Sequence, residues 1–241
     1  VTPRWTGLLL DIDDTLLDTT RAMITAGTTA MKAVWPQQPD DWCVRASERF
    51  RADPGGYFAR FTRGDLAFDD MRAARLAEVA SAYNLPVPDA AHATYEAAFR
   101  PAFNAAQHVY DDVQPLLRRC AQREVVVGAV TNSSESATAD KLAVTGLGEQ
   151  LVTVVTRDTL GFGKPDPRIF AYACQQLGLS TDQVLFVGDE LAADVVGAQD
   201  AGLTAYWLRR PADVVSRHAP DRAAGPSEAR VISSLNEIEL S

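Results

Sequence analysis

Short apolar runs recur along this chain, too far apart for most of them to be joined by hairpins. Leu8-Leu9-Leu10 comes first, followed by Glu124–Val130, Leu151–Val155, Val184–Val187, Leu203–Leu208 and a weaker Arg230–Ile232. The central runs do not alternate with polar residues, so both faces of each strand need cover, as in a parallel sheet lying between helices. Helical spacing fills the intervals, over Asp111–Gln122, Ser134–Thr145, Pro167–Leu177, Leu191–Ala201 and Ala212–Arg217. Strand–helix alternation of this kind requires right-handed crossovers. The expected class is α/β, with a doubly wound, Rossmann-like parallel sheet.

Residues 20–104 break the rhythm. They contain no strand signal, and apolar residues recur at helical spacing, as in Leu66, Met71, Ala74, Leu76, Val79 and Tyr83. Pro36, Pro39, Pro54-Gly55-Gly56 and Pro86–Pro88 divide the stretch into four or five helices. The expected organisation is a core of residues 1–19 and 105–241 interrupted by an all-helical insertion over 20–104. The polar stretch Arg217–Pro226 reads as an exposed loop.

Acids gather where the first strand should end, at Asp11-Ile12-Asp13-Asp14-Thr15. In open α/β sheets ligands bind at the carboxyl ends of the strands. Closely spaced carboxylates repel one another, and a set of oxygen ligands favours Mg²⁺. The same run also suits a turn with capping side chains. Thr131-Asn132-Ser133-Ser134 follows the second run and can either cradle an anion or cap the next helix. Lys164-Pro165-Asp166-Pro167 offers a lysine in a rigid turn, suited to a phosphate or simply exposed. Gly188-Asp189-Glu190 ends the fourth run, with Asp194 five residues after Asp189; Asp194 can support a cation site or complement a helix dipole.

The bulk composition narrows the partners. The formal charge of −9 disfavours nucleic acid and anionic membranes. No apolar run approaches the ~20 residues needed to cross a bilayer, and no charged segment followed by an apolar stretch opens the chain, so a cytoplasmic protein is expected. Cys43, Cys120 and Cys174 are widely spaced, without the pairing of a disulfide framework or zinc site, and read as small apolar fillers in helices.

Taken in order, an apolar strand with DxDxT, a strand with TN, Lys-Pro-Asp, and a strand with GD(x4)D resemble the haloacid dehalogenase superfamily. The resemblance spans residues 6–18 and 108–210, and the helical insertion is similar to that superfamily's type 1 cap. It implies a phosphohydrolase in which Asp11 is the nucleophile and Asp13 the acid and base. It also implies Mg²⁺ held by Asp11, the Asp13 backbone carbonyl and Asp189, with Asp194 behind them. Thr131, Asn132 and Lys164 would hold phosphate or substrate, and Thr15 would fix the loop. An aspartate at position 13 favours phosphoester chemistry over dehalogenation, because a departing halide needs no proton. The implied partner is a small phosphorylated metabolite. Arg60 and Arg63, among Tyr57, Phe58 and Phe61, are the candidate specificity residues of the insertion. Asp14 and Glu190 depart from the usual pattern and are expected to point into solvent. The alternatives are a sugar phosphomutase on the same scaffold, a non-catalytic phosphate-binding protein, and a phosphorelay receiver.

Overall fold

The computed structural model describes residues 5–211 and 229–240. The expected helix over Ala212–Arg217 and the polar stretch Arg217–Pro226 lie outside the described residues. The described chain forms two compact units, residues 1–20 with 107–241, and residues 21–106.

The first unit is built on six strands: β1 (Gly7–Leu10), β2 (Val126–Thr131), β3 (Thr153–Thr156), β4 (Val184–Gly188), β5 (Thr204–Leu208) and β6 (Arg230–Ile232). They form one sheet in the order β3-β2-β1-β4-β5-β6, and every pairing is parallel. The apolar runs read as doubly covered strands are so in fact. Successive side chains of a strand point to opposite faces. Leu8, Leu10, Val127, Ala129, Leu185 and Val187 join one core, with Leu116 and Cys120 of a helix over Val113–Gln122. Leu9, Val130, Val184 and Phe186 join the other, with Ile169, Phe170 and Cys174 of a helix over Pro167–Leu177. Leu8, Leu9 and Leu10 are wholly buried, and each such side chain contributes about 1.5–3 kcal/mol of burial.

The register sets up the site. Leu10 lies opposite Ala129 on one side and Val187 on the other. Asp11, Asp189 and Thr131, the last residue of β2, therefore lie along one edge of the sheet. Sequentially distant strands flank β1, so this edge is also where the connections diverge, the usual ligand position in a doubly wound sheet.

The second unit is carried by five helices: α1 (Thr19–Val34, which begins in the first unit), α2 (Asp40–Ala52), α3 (Tyr57–Thr62), α4 (Phe68–Ala82) and α5 (Ala91–Ala105). The proline clusters at 36–39, 54 and 86–88 fall between them, as a residue without an N–H and with fixed φ dictates. The unit has its own core, including Met31, Trp35, Trp42, Phe50, Leu76, Val79, Tyr95 and Phe99. Two arginines are buried against it. Arg72 lies 4.4 Å from the Phe99 ring centroid and donates to Glu96 at 2.7 Å. Arg75 donates to the Phe50 carbonyl, and burial lowers its pKa to about 10. All three cysteines are free, buried and helical.

Candidate active site

Asp11 is the first residue past β1, and its N–H donates to the Val187 carbonyl at 3.0 Å. Its carboxylate is almost fully buried. Lys164 reaches it from across the strand ends: Nζ donates to Asp11 Oδ1 and to Asp194 Oδ1, each at 2.5 Å. The Lys164 turn is held by Asn132. The Asn132 amide donates to the Lys164 carbonyl at 2.9 Å and accepts from the Lys164 N–H at 2.7 Å. The Asn132 side chain is thus engaged with backbone, and its effect is to position the lysine. Gly163 makes this possible, since a Cβ there would fall 2.3 Å from Asn132 Oδ1.

Asp194 sits in a π-helical turn over Leu191–Val196, just after β4. Its second oxygen accepts from the Glu190 N–H at 3.0 Å, and it packs directly over Gly188, where a Cβ would meet its carboxylate at 2.3 Å. Asp189 is fixed through its backbone, whose carbonyl accepts from the Trp207 indole at 2.8 Å. Thr131 is buried, and its hydroxyl accepts from the Ser133 N–H at 3.1 Å. The capping role open to this segment falls to Ser134, which accepts from the Ala137 N–H at the start of a helix over Glu135–Thr145.

Carboxylate oxygens of Asp11, Asp189 and Asp194 lie within 4.8 Å of one another. That span suits a single hard cation with oxygen ligands at about 2.0–2.6 Å. The electrostatics agree with such an occupant. Burial pushes the Asp11 carboxyl well above its ordinary range; Lys164 opposes this, while Asp194 and Asp13 add to it. Asp189 is pushed up by burial and then by Asp11 and Asp194. Three carboxylates around one ammonium leave an excess of negative charge that a divalent cation would offset.

Asp13 belongs to a separate ionic group. Its side chain is outside the three-carboxylate set. Burial alone would raise its pKa, but Lys141 and the Thr19 and Ser133 hydroxyls hold it below the usual aspartate value. Lys141 Nζ and Thr19 Oγ1 donate to Oδ1 at 2.5 and 2.6 Å, and Ser133 Oγ donates to Oδ2 at 2.8 Å.

Sequence reasoning missed Lys141, and it named Ser133 only as part of the strand-end segment, without its link to Asp13. Lys141 lies in an ordinary helical segment and looks like a solvated residue; its position two turns after a strand-end hydroxyl was the available signal. Arg210 was missed as well. It forms a two-pronged pair with Asp112 at 3.0 Å and donates to the Thr15 carbonyl at 2.7 Å, bracing the loop that follows Asp11.

The expectation that Asp14 points into solvent is corrected. Asp14 is buried and has a positive φ of 58°. Its oxygens accept from the Thr20 N–H at 2.8 Å and the Thr20 hydroxyl at 2.5 Å, at the start of α1. The first turn of a helix has N–H groups without intrahelical partners, and a carboxylate satisfies them well. Glu190 is exposed, as expected.

The sequence model of the haloacid dehalogenase-like hydrolases matches residues 5–202. The chain belongs to that family. Phosphoserine phosphatase from Thermus thermophilus is 31% identical over 123 residues, 51% of this chain and 49% of that one. N-acetylmuramic acid 6-phosphate phosphatase from Pseudomonas aeruginosa is 28% identical over 206 residues, 86% of this chain and 82% of that one. The match to the first of these, like those to several other curated relatives, spans about half of the relative's length. Among solved structures, the haloacid dehalogenase-type hydrolase YfnB from Bacillus subtilis, bound to magnesium, superposes with a TM-score of 0.73. It is 24% identical, and the match covers 97% of this chain and 96% of that one. This likeness establishes the fold.

The remaining candidates in this haloacid dehalogenase-like chain lie in the helical unit. Arg60 is exposed, with its guanidinium 5.9 Å from the Tyr57 ring centroid, and Arg63 pairs with Asp65 at 3.0 Å. Phe58, Phe61 and Phe68 form a partly exposed aromatic group there. No helix among the described residues is long and apolar enough to cross a membrane.

Proposed function

We propose that this protein is a Mg²⁺-dependent phosphohydrolase acting on a small phosphomonoester through an aspartyl-phosphate on Asp11. The observation that carries this reading is the pair Asp11 and Asp13. The two carboxylates, two residues apart, are held in different ionic environments, one beside Lys164 and one beside Lys141. Two neighbouring acids with divergent environments are what a nucleophile and a separate proton carrier require. The two relatives named above are phosphatases of small phosphorylated compounds, which supports a phosphatase over a mutase.

In the first step an Asp11 oxygen attacks phosphorus, the bond from phosphorus to the substrate oxygen breaks, and that oxygen takes a proton from Asp13. In the second step the Asp13 carboxylate takes a proton from water, whose oxygen attacks phosphorus. The bond to Asp11 breaks and inorganic phosphate leaves. Lys164 and Thr131 would hold phosphoryl oxygens. Asp11 and Asp189, with the Asp13 carbonyl, would hold Mg²⁺, backed by Asp194; when bound, the ion offsets the charge of nucleophile and phosphate.

Turnover of an aryl phosphate tests the reading. Wild type should be active with Mg²⁺ and silent with chelator, and Asp11→Asn should lose at least about 10³-fold in kcat. Activity that survives both changes would overturn it.

A further inference from the structure

Two buried lysines serve the acids of this site, and they divide them. Lys164 spans Asp11 and Asp194, whereas Lys141 goes to Asp13 and also donates to Ser133 Oγ at 3.0 Å. Lys141 is only 5% exposed, and it comes from the second turn of the Glu135–Thr145 helix. A lysine is seldom buried to this degree unless it is paired. Side chains of a helix lean toward its N-terminus, which carries this ammonium back to the strand ends. With Thr19 and Ser133, it gives Asp13 three donors, two on Oδ1 and one on Oδ2. A carboxylate gripped at both oxygens has its direction fixed, and it is kept apart from the Asp11–Asp189–Asp194 set.

We propose that Lys141 is a positioning residue for Asp13, aligning its carboxylate to take the proton from the water that attacks the phospho-enzyme. The inference rests on the phosphohydrolase reading above. It concerns the second step most strongly, because there the direction in which these three donors hold the carboxylate decides whether it meets the attacking water. The first step with an aryl phosphate needs little help from Asp13, since an aryloxide leaves without a strong acid. Loss of Lys141 should therefore slow release of phosphate from Asp11 and leave formation of the aspartyl-phosphate nearly intact.

The test is steady-state kinetics on an aryl phosphate together with acid-quench trapping of ³²P-labelled protein, for wild type, Lys141→Met, Lys141→Arg, Ser133→Ala, Asp13→Asn and Asp11→Asn. Lys141→Met keeps most of the stem and removes the charge. Its kcat should fall about 10- to 100-fold, the range for a misplaced catalytic group. KM should fall in parallel, kcat/KM should stay within about 3-fold of wild type, and label should accumulate on the protein. Lys141→Arg should recover part of kcat, and Ser133→Ala should show the same split more weakly, which keeps the test open if Lys141→Met folds poorly. Equal falls in kcat and kcat/KM without trapped label, or no change in either, would overturn the role of Lys141. If Asp11→Asn still carries label, or Asp13→Asn traps none, the phosphohydrolase reading itself fails.

Discussion

Both units of this protein bury cations, but they do so to different ends. In the helical unit Arg72 lies against the rings of Phe50, Phe68, Tyr95 and Phe99 and pairs with Glu96, while Arg75 is held by backbone carbonyls. Each charge there is matched locally, and the result is a core. At the carboxyl edge of the sheet, acids outnumber the two lysines beside them. Lys164 pairs with Asp11 and Asp194 and Lys141 with Asp13, while burial and the neighbouring acids raise the pKa values of Asp11 and Asp189. Matched burial supplies stability. Unmatched burial leaves an excess of negative charge that a cation would offset.

Four changes would sharpen or break that contrast. Arg72→Met should cost the most, about 2–4 kcal/mol in a denaturant melt, because it takes the partner from Glu96 and removes a charge lying over four rings. A loss under about 0.5 kcal/mol, the scale of an ordinary surface substitution, would make that arginine no part of the core. Asp189→Asn should act in the opposite sense. With chelator present it should melt higher than wild type, since it relieves repulsion among buried acids. Added Mg²⁺ should stabilise wild type by up to about 2.7 kcal/mol at a hundredfold excess over Kd and the variant far less. An equal thermal shift in both proteins would remove Asp189 from the cation site.

Gly188→Ala follows, at about 1–3 kcal/mol, because the new methyl group would meet the Asp194 carboxylate; unchanged stability would mean that Asp194 has room to move. The smallest effect should come from the Asp112–Arg210 pair. Burial raises the Asp112 pKa, but hydrogen bonds from Arg210, Ser234 and the Leu235 N–H bring it below the ordinary value. A depressed folded pKa adds stability above the unfolded value of ~3.9 and loses it as the pH falls through the folded value. Wild type should therefore lose more stability than Asp112→Asn as the pH falls from about 5 toward 2; parallel acid melts would contradict the shift.

The strands were legible because burial on both faces leaves a mark in sequence. Leu8–Leu10 and Val184–Val187 carry no polar residue, and so short an apolar run bounded by glycine or turn residues suits a covered strand. The breaks at Pro54-Gly55-Gly56 and Pro86–Pro88 were legible for a local reason too, the backbone limits of proline. Asp14 was misread because its partner, the first turn of α1, depends on a backbone turn with positive φ that an aspartate does not announce. Lys141 was invisible for a different reason. Its partner Asp13 lies 128 residues away, and a lysine on an Ala-rich helix looks the same whether it faces water or a buried acid.

Local chemistry alone determined the alternation of strand and helix, the strandless stretch between the first two strands, and the presence of acids, hydroxyls and a lysine at strand ends. Those properties are written in short windows, where hydrophobic period, proline and side-chain type act directly on the backbone. Only the tertiary structure decided which acid faces which cation. Pairing between distant residues follows from strand register and from the direction in which helix side chains lean, and the order β3-β2-β1-β4 sets two lysines from different connections against two neighbouring aspartates.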